Sequence, residues 1–190
     1  MKLYGSYTSP FVRHCRIVLL ETGLECEFIE TDQAGSAAKS PTKRVPFLEE
    51  GDQHFTDSSS VIKYLREKAG HTFCASAKEL DDYCLANTAL DTTVNVFFLE
   101  RDGVKADEVL YVQRQIARIE SSVCELNNFI LPMHAPYNDA QLRIACYIGW
   151  AKLRNRAGFS ELNSSEFKNL EDFFAGIQQY ENFKLTAPKV

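Results

Sequence analysis

Three short stretches near the N-terminus contain residue types that can bind an anionic or peptide-like ligand. In the first, Ser9 precedes Pro10. This pair is typical of a helix start, where serine caps the helix and proline lacks only an N–H that has no helical partner. A cap alone is the simplest interpretation. The alternative is that the hydroxyl and the open N–H groups of the first turn bind an anion.

The second stretch is Val45-Pro46, which leads into an apolar run. Roughly one X-Pro bond in twenty is cis, so a trans bond is the expectation from the dipeptide alone. At the first residues of a sheet strand, however, a cis proline turns the N–H and C=O of the preceding residue outward. Those groups can then pair with a peptide-like ligand as an added strand does.

The third stretch is Asp57-Ser58, which opens the run Asp-Ser-Ser-Ser. Open N–H groups and the Ser58 hydroxyl at a helix start can bind a carboxylate, while Asp57 can bind an ammonium beside it. Together they match the two charges of an α-amino acid. Helix capping without a ligand remains the alternative, because these residues are good caps by themselves.

The cysteines and histidines predict neither a disulfide framework nor a metal centre. No CxxC occurs, and the histidines never have the spacing of metal ligands. We therefore expect no metal, and thiols that stay reduced and pack as small apolar side chains. The cysteines are Cys15, Cys26, Cys74, Cys84, Cys124 and Cys146, and the histidines are His14, His54, His71 and His134.

The elements that must position these stretches alternate between strand and helix up to about residue 70. The patterns predict strands at 2–6 and 26–30, a helix at 10–21, a loop at 34–39, hairpin strands at 45–48 and 54–55, and a helix that follows residues 57–60 and ends near Gly70. The strand, helix and strand at the start imply a parallel pair with a right-handed crossover. This order of elements is the thioredoxin-like arrangement.

The rest of the chain has helical periodicity only. Apolar series over 80–97 and 109–130 flank an Asp-Gly turn and predict an antiparallel helix pair, with a coiled-coil contact to another protein as the alternative. Further helices are predicted over 138–154 and from Asn163 or Ser164 to Tyr180, the last one lined by Phe167, Leu170, Phe174 and Ile177. The predicted fold class is α/β plus all-α: a thioredoxin-like domain over 1–75 and an α-helical domain over 76–190.

Composition and charge exclude several classes of protein. The 190 residues carry 21 Lys and Arg against 26 Asp and Glu, a formal charge of −5. This excess of acid argues against binding to nucleic acid or to an anionic membrane, since both need clustered cations. No run approaches the roughly 18 apolar residues that a membrane span requires. We expect a soluble, cytoplasmic protein.

The three stretches, taken in order, resemble cytosolic glutathione transferases of the serine type, such as the tau and zeta classes. Residues 4–13 (YGSYTSPFVR) resemble the start of those proteins, and residues 40–48 (SPTKRVPFL) resemble their loop into the cis-proline strand. Residues 55–65 (FTDSSSVIKYL) are similar to their Glu/Asp-Ser glutathione motif and the helix after it. The resemblance covers about the first 70 residues; the second half matches in architecture rather than in motif.

The resemblance implies a role for each stretch. Ser9 would hydrogen-bond the glutathione sulfur and stabilise the thiolate. The backbone of Val45 would pair with the cysteinyl unit. Asp57 and Ser58 would bind the γ-glutamyl end of the tripeptide.

Other residues of the implied site are charged or aromatic. Lys43 or Arg44 would bind the glycine carboxylate of glutathione. Phe11 belongs to the same site, and the apolar second substrate is expected between the domains near Phe11, Tyr83 or Phe98. Homodimerisation is the habit of the family and is expected here.

The resemblance implies a glutathione transferase that activates glutathione as the thiolate for conjugation to a small apolar electrophile. A glutathione-dependent thiol reductase or isomerase is an alternative, but it needs a cysteine where Ser9 stands, and Cys15 lies further along on an apolar helix face. A non-catalytic binding or regulatory protein of the same fold is another alternative. One departure from the family is Asn138 with Gln141, where Ser or Thr and a buried Asp are usual, so we expect a weaker start to that helix.

Overall fold

A mixed four-stranded sheet forms the centre of the first part of the chain. In a computed structural model that describes residues 1–156 and 166–189, the strands are β1 (Lys2–Gly5), β2 (Glu27–Glu30), β3 (Phe47–Glu50) and β4 (Gln53–Phe55). Their order is β2-β1-β3-β4. β1 is parallel to β2 and antiparallel to β3, which pairs antiparallel with β4. The predicted crossover unit and hairpin are confirmed.

Helices α1 (Pro10–Thr22) and α3 (Ser58–Lys68) begin and end close to the predicted positions. α1 ends at Gly23, whose φ of 66° is the left-handed conformation that glycine adopts readily at a helix end. Between them, α2 (Gln33–Lys39) corrects the prediction of a loop at 34–39. Asp32 explains the difference, because its carboxylate accepts the Gly35 N–H at 2.7 Å and caps a short helix.

The hydrophobic core of this unit lies between the sheet and one layer of helices. Fully buried side chains from β1, β3, α1 and α3 form it: Leu3, Cys15, Val18, Leu48, Val61, Ile62 and Leu65. Alternate strand residues point to the other face of the sheet, where the ring of Tyr4 stacks on that of Phe47 at 4.4 Å. Both faces of the β1–β3 pair are therefore buried.

The second compact unit, residues 76–177, is helical. Its helices are α4 (Ala77–Arg101), α5 (Leu110–Asn127), α6 (Asp139–Leu153) and α7 (Lys168–Ile177). α4 packs against both α5 and α6, so the predicted helix pair is present within the chain. None of the described helices is long and apolar enough to cross a membrane.

The start of α6 corrects the expectation drawn from Asn138 and Gln141. The Asn138 side chain accepts the Gln141 N–H at 2.9 Å, and the Gln141 side chain accepts the Asn138 N–H at 3.0 Å. These two bonds form a reciprocal capping box, so the pair stabilises the helix start instead of weakening it.

The predicted start of the next helix, at Asn163 or Ser164, lies outside the described residues. The side chains predicted to line α7 are buried: Phe167, Leu170, Phe174 and Ile177. α7 ends at Ile177, three residues before the predicted end at Tyr180.

The C-terminal segment, residues 178–189, belongs to the same compact unit as residues 1–75, whereas the sequence had suggested that it continues the helical domain. It contains a short helix, α8 (Glu181–Leu185), that contacts α1. The Arg13 guanidinium donates to the Phe183 carbonyl at 2.8 Å and lies 3.5 Å from the centroid of the Phe183 ring. Tyr180 donates to Glu21 at 2.7 Å, so the segment is fastened along the length of α1.

Candidate functional site

The sheet topology brings the three predicted stretches to one edge. Because β3 is antiparallel to both of its neighbours, β4 runs parallel to β1. The carboxyl ends of β1 and β4 and the start of β3 therefore lie side by side, with Tyr4 opposite Phe47. Ser9 follows β1, Pro46 precedes β3 and Asp57 follows β4, so all three stretches lie at this edge, which we call the site edge.

Ser9 caps α1 with its side-chain oxygen. Its backbone is extended (φ −77°, ψ 127°), and Oγ accepts the Val12 N–H at 3.3 Å. The Ser9 N–H donates to the Ser6 carbonyl at 3.1 Å and closes a turn. A serine hydroxyl has one hydrogen to donate, and within the described part of the chain that hydrogen has no acceptor. The cap therefore leaves a donor at the N-terminus of α1.

Asp57 is exposed and caps α3. Its Oδ1 accepts the Ser59 N–H at 2.7 Å, while Oδ2 has no hydrogen bond to any residue that the structure describes. Ser58 is only 4% exposed, and its carbonyl accepts the thiol of Cys15 at 3.9 Å, which joins α3 to α1. One carboxylate oxygen of Asp57 is thus committed to the cap and the other can meet a cation.

The segment before β3 is held against the Asp57 stretch. Thr42 donates from Oγ1 to the Thr56 carbonyl at 3.4 Å. Lys43 adopts φ 54°, and its N–H donates to the Ser40 carbonyl at 2.9 Å. Lys43 and Arg44 are both exposed, so they place positive charge on this segment. The Val45-Pro46 bond is cis, which corrects the trans expectation drawn from the dipeptide alone and confirms the cis proline that the resemblance implies.

Cys15 is fully buried in the core of the first unit. Its thiol donates to the Ser58 carbonyl, so it lies in the packed interface between α1 and α3. Reactive cysteines are accessible and lie in electropositive surroundings. The burial of Cys15 therefore disfavours the thiol reductase interpretation.

The aromatic residues expected near a second substrate differ in their surroundings. Tyr83 is 2% exposed in the helical unit, and its hydroxyl accepts a hydrogen bond from the buried Arg143. It is therefore a core residue of that unit rather than a surface for an apolar ligand. Phe11 is partly exposed in the first unit, and Phe98 is 43% exposed in the second.

Several groups of the first unit have a perturbed pKa. Near the site edge, the hydrogen bond to Glu49 raises the pKa of Tyr4. At the far end of β3, hydrogen bonds from Lys68 and then from Tyr64 lower the pKa of Glu50. The same contacts with Glu50 raise the pKa of Tyr64 and of Lys68. Over residues 1–156 and 166–189, no group of His, Cys, Asp and Glu side chains has the arrangement of a metal site.

Sequence reasoning missed Tyr7, which lies in the turn that precedes Ser9. Its ring is 4.8 Å from the Phe28 ring and 4.8 Å from the Arg16 guanidinium. The signal that could have found it is an aromatic residue two positions before the predicted cap. Its other neighbour, Lys189, comes from the far end of the chain and is not predictable from local pattern.

Comparison with known proteins gives this geometry a family context. Residues 3–73 match the family model "Glutathione S-transferase, N-terminal domain". The chain is 46% identical over 71 residues to the uncharacterized GST-like protein YibF of Escherichia coli (strain K12), a match that covers 34% of this chain and 35% of that protein. It is 36% identical over 75 residues to the probable glutathione S-transferase GSTF2 of Oryza sativa subsp. japonica, covering 36% and 35%. The matches thus span about a third of each relative.

Solved structures extend the likeness in fold to the whole chain. A glutathione S-transferase from Methylobacillus flagellatus with bound glutathione has a TM-score of 0.82 at 21% identity, covering 99% of both chains. One from Methylobacterium radiotolerans in complex with glutathione sulfonate has a TM-score of 0.82 at 20% identity, covering 100% of this chain and 95% of that one. The tau-class enzyme of mango, Mangifera indica, has a TM-score of 0.75 at 14% identity, covering 99% and 92%.

These findings define the class of the fold. Residues 3–73 are similar to the N-terminal domain of glutathione S-transferases, and the chain has the glutathione transferase fold. The predicted fold class, a thioredoxin-like domain followed by a helical region, is confirmed.

Proposed function

We propose that this protein is a glutathione transferase that binds glutathione at the site edge of the sheet and conjugates its thiolate to a small apolar electrophile. The observation that carries the proposal is the Ser9 hydroxyl. Its oxygen accepts the Val12 N–H, which leaves its hydrogen to donate to a sulfur anion at the start of α1. The match of residues 3–73 and the glutathione bound to the Methylobacillus flagellatus structure support glutathione as the ligand.

Binding would use the charges and backbone groups of the site edge. In this proposal the Val45 backbone pairs with the cysteinyl unit in the manner of an added strand. Oδ2 of Asp57 accepts from the γ-glutamyl ammonium, and Ser58 at the start of α3 contacts the carboxylate beside it. Lys43 or Arg44 neutralises the glycine carboxylate, and Phe11 borders the thiol end.

The chemical task is to make the thiolate available near neutral pH. The thiolate, not the thiol, is the nucleophile. A hydrogen bond from Ser9 and the positive end of the α1 dipole both favour the anion, so both lower the pKa of the bound thiol, and its proton leaves to solvent. The thiolate then attacks the electrophilic carbon, and the electron pair of the sulfur forms the new carbon–sulfur bond. In a substitution, the leaving group departs with the electron pair of the bond that breaks at that carbon. In an addition to an activated double bond, the π electron pair moves to the neighbouring atom, which takes a proton from solvent.

Three finer proposals accompany this one. We propose a serine-type enzyme of the tau and zeta kind, because Ser9 occupies the α1 cap. We propose a cytoplasmic location, which would keep the six cysteine thiols reduced. We also propose a homodimer, supported by exposed apolar side chains on α5 such as Leu110 and Tyr111. A single species of monomer mass in sedimentation analysis at micromolar concentration would contradict the dimer.

Glutathione affinity followed by an activity panel tests the function. We expect the full chain to be retained on immobilised glutathione, to elute with free glutathione, and to conjugate at least one compound of a panel of apolar electrophiles. Retention with no turnover on any compound would favour the non-catalytic binding protein. Absence of retention would refute glutathione as the ligand. A mixed disulfide between glutathione and Cys15, located by mass spectrometry of proteolytic peptides, would favour the thiol reductase.

A further inference from the structure

Residues 6–9, which end at Ser9, form a turn, and most of its hydrogen bonds join residues within the turn. The Ser9 N–H donates to the Ser6 carbonyl at 3.1 Å, which is the hydrogen bond of a β-turn over 6–9. The Thr8 N–H donates to Ser6 Oγ at 3.3 Å, and the Ser6 and Thr8 hydroxyl oxygens lie 3.1 Å apart. These bonds fix the shape of the turn, and its two ends are anchored by Gly5 in β1 and by the Ser9 cap on α1.

Tyr7 joins this turn to three other elements. Its ring is 4.8 Å from the ring of Phe28 in β2 and 4.8 Å from the guanidinium of Arg16 in α1. The ammonium of Lys189, in the C-terminal segment, lies 4.2 Å from the same ring. Cations at these distances are attracted to an aromatic face.

The C-terminal segment also holds Arg16. Arg16 donates from Nη1 to the Thr186 carbonyl at 3.2 Å and from Nη2 to the Leu185 carbonyl at 3.5 Å. Thr186 is itself buried, and its hydroxyl donates to the Asn182 carbonyl at 2.8 Å. Arg16 is therefore fixed from one side by backbone oxygens while its guanidinium contacts the Tyr7 ring.

We propose that Tyr7 is a positioning residue for Ser9, held by Phe28 and Arg16. This inference rests on the proposed function of Ser9. A hydrogen bond weakens steeply as its distance and angle depart from the optimum. A turn that is free to shift would therefore stabilise a bound thiolate less well. Glutathione binding at Val45 and Asp57 would not change, because those residues lie on other strand ends.

The experiment measures the pKa of the thiol of enzyme-bound glutathione from the ultraviolet absorbance of the thiolate against pH. Tyr7→Leu keeps apolar packing on Phe28 but removes the aromatic face, whereas Tyr7→Phe keeps the face and loses only the hydroxyl. Arg16→Gln removes the guanidinium and serves as a second variant if Tyr7→Leu does not fold. Tyr180→Phe is the matched control, because it loosens the same C-terminal segment at Glu21, near the other end of α1.

We expect Tyr7→Leu and Arg16→Gln to raise the pKa of the bound thiol by about half a unit or more, which is about threefold less thiolate at a pH below the pKa. The dissociation constant of glutathione should stay the same, and kcat near neutral pH should fall while KM for glutathione does not change. Tyr7→Phe and Tyr180→Phe should keep the wild-type pKa.

Two results separate the two proposals. If the wild type binds glutathione and lowers its thiol pKa but the folded Tyr7→Leu and Arg16→Gln variants titrate like the wild type, the positioning role is wrong and the proposed function stands. The positioning role is also wrong if Tyr180→Phe raises the pKa of the bound thiol as much as Tyr7→Leu and Arg16→Gln do. General loosening of the C-terminal segment would then explain the rise in all three variants. If the wild type does not lower the thiol pKa at all, both proposals are overturned.

Discussion

Replacing Asp57 separates its role as a helix cap from its proposed role as a ligand. In the structure, Oδ1 accepts the Ser59 N–H at 2.7 Å, and Oδ2 has no partner within the described residues. Asp57→Asn keeps an oxygen that can cap α3 but removes the negative charge. Asp57→Ala removes both. A charged hydrogen bond contributes about 1.5–3 kcal/mol, so both variants should bind glutathione about 10- to 150-fold more weakly.

Stability should distinguish the two Asp57 variants. Loss of an N-cap costs about 1 kcal/mol, which for a chain of this size lowers the melting temperature by about 2–4 °C. Asp57→Ala should show this drop, and Asp57→Asn should melt close to the wild type. Titration calorimetry and thermal denaturation give the two quantities on the same samples. Unchanged affinity in a folded Asp57→Asn protein would refute the ligand role and leave a helix cap alone.

Two further predictions concern stability. A Cβ on Gly5 would lie 2.5 Å from Cγ1 of the fully buried Val12. Gly5→Ala should therefore destabilise the protein by about 1–3 kcal/mol and lower its melting temperature. An unchanged melting temperature would show that α1 can move away from β1. Hydrogen bonds from Lys68 and then Tyr64 lower the pKa of Glu50, so the stability they contribute is present above the ordinary carboxyl pKa and is lost as pH falls through the lowered one. The free energy of unfolding of Glu50→Gln, measured by urea denaturation across pH, should therefore be lower than that of the wild type at neutral pH and equal to it in acid. A difference that stays constant at all pH values would contradict the pairing of Glu50 with Lys68 and Tyr64.

The order of strands and helices in the first unit could be predicted from the sequence, but a parallel β1–β2 pair and a hairpin do not by themselves fix the direction of β3 against β1. The antiparallel pairing of β3 with β1 and β4 places the ends of β1 and β4 and the start of β3 at one edge, so Ser9, Pro46 and Asp57 all lie there. The caps of α1 and α3 were also readable, since Ser9 and Asp57 act on backbone groups two or three residues away. Local chemistry of this kind is contained in local sequence.

The predictions from sequence were wrong where distant residues decide the local structure, or where one local signal was overlooked. α2 was missed because its residues lack apolar periodicity, although the Asp32 cap was present in the sequence. The C-terminal segment lies with the first unit because Arg13 contacts Phe183, a pair separated by 170 positions. Tyr83 follows the apolar spacing of α4, but periodicity does not reveal that Arg143 covers its hydroxyl.

Ser9→Ala tests the central claim most directly. Losing one charge-assisted hydrogen bond costs about 1.5–3 kcal/mol, and one pKa unit is about 1.36 kcal/mol, so the pKa of the bound glutathione thiol should rise by about one to two units. Ser76→Ala is the matched control, because Ser76 caps α4 in the same way, accepting the Glu79 N–H at 3.1 Å. Both variants should lose about 1 kcal/mol of stability from the missing cap.

The measurement is the ultraviolet absorbance of the thiolate against pH, in the glutathione complexes of the wild type and both folded variants. We predict that the Ser9→Ala curve shifts to higher pH, that the Ser76→Ala curve overlies the wild type, and that turnover of Ser9→Ala partly recovers as pH rises. Superimposable curves for all three proteins would contradict the account and reduce Ser9 to a helix cap.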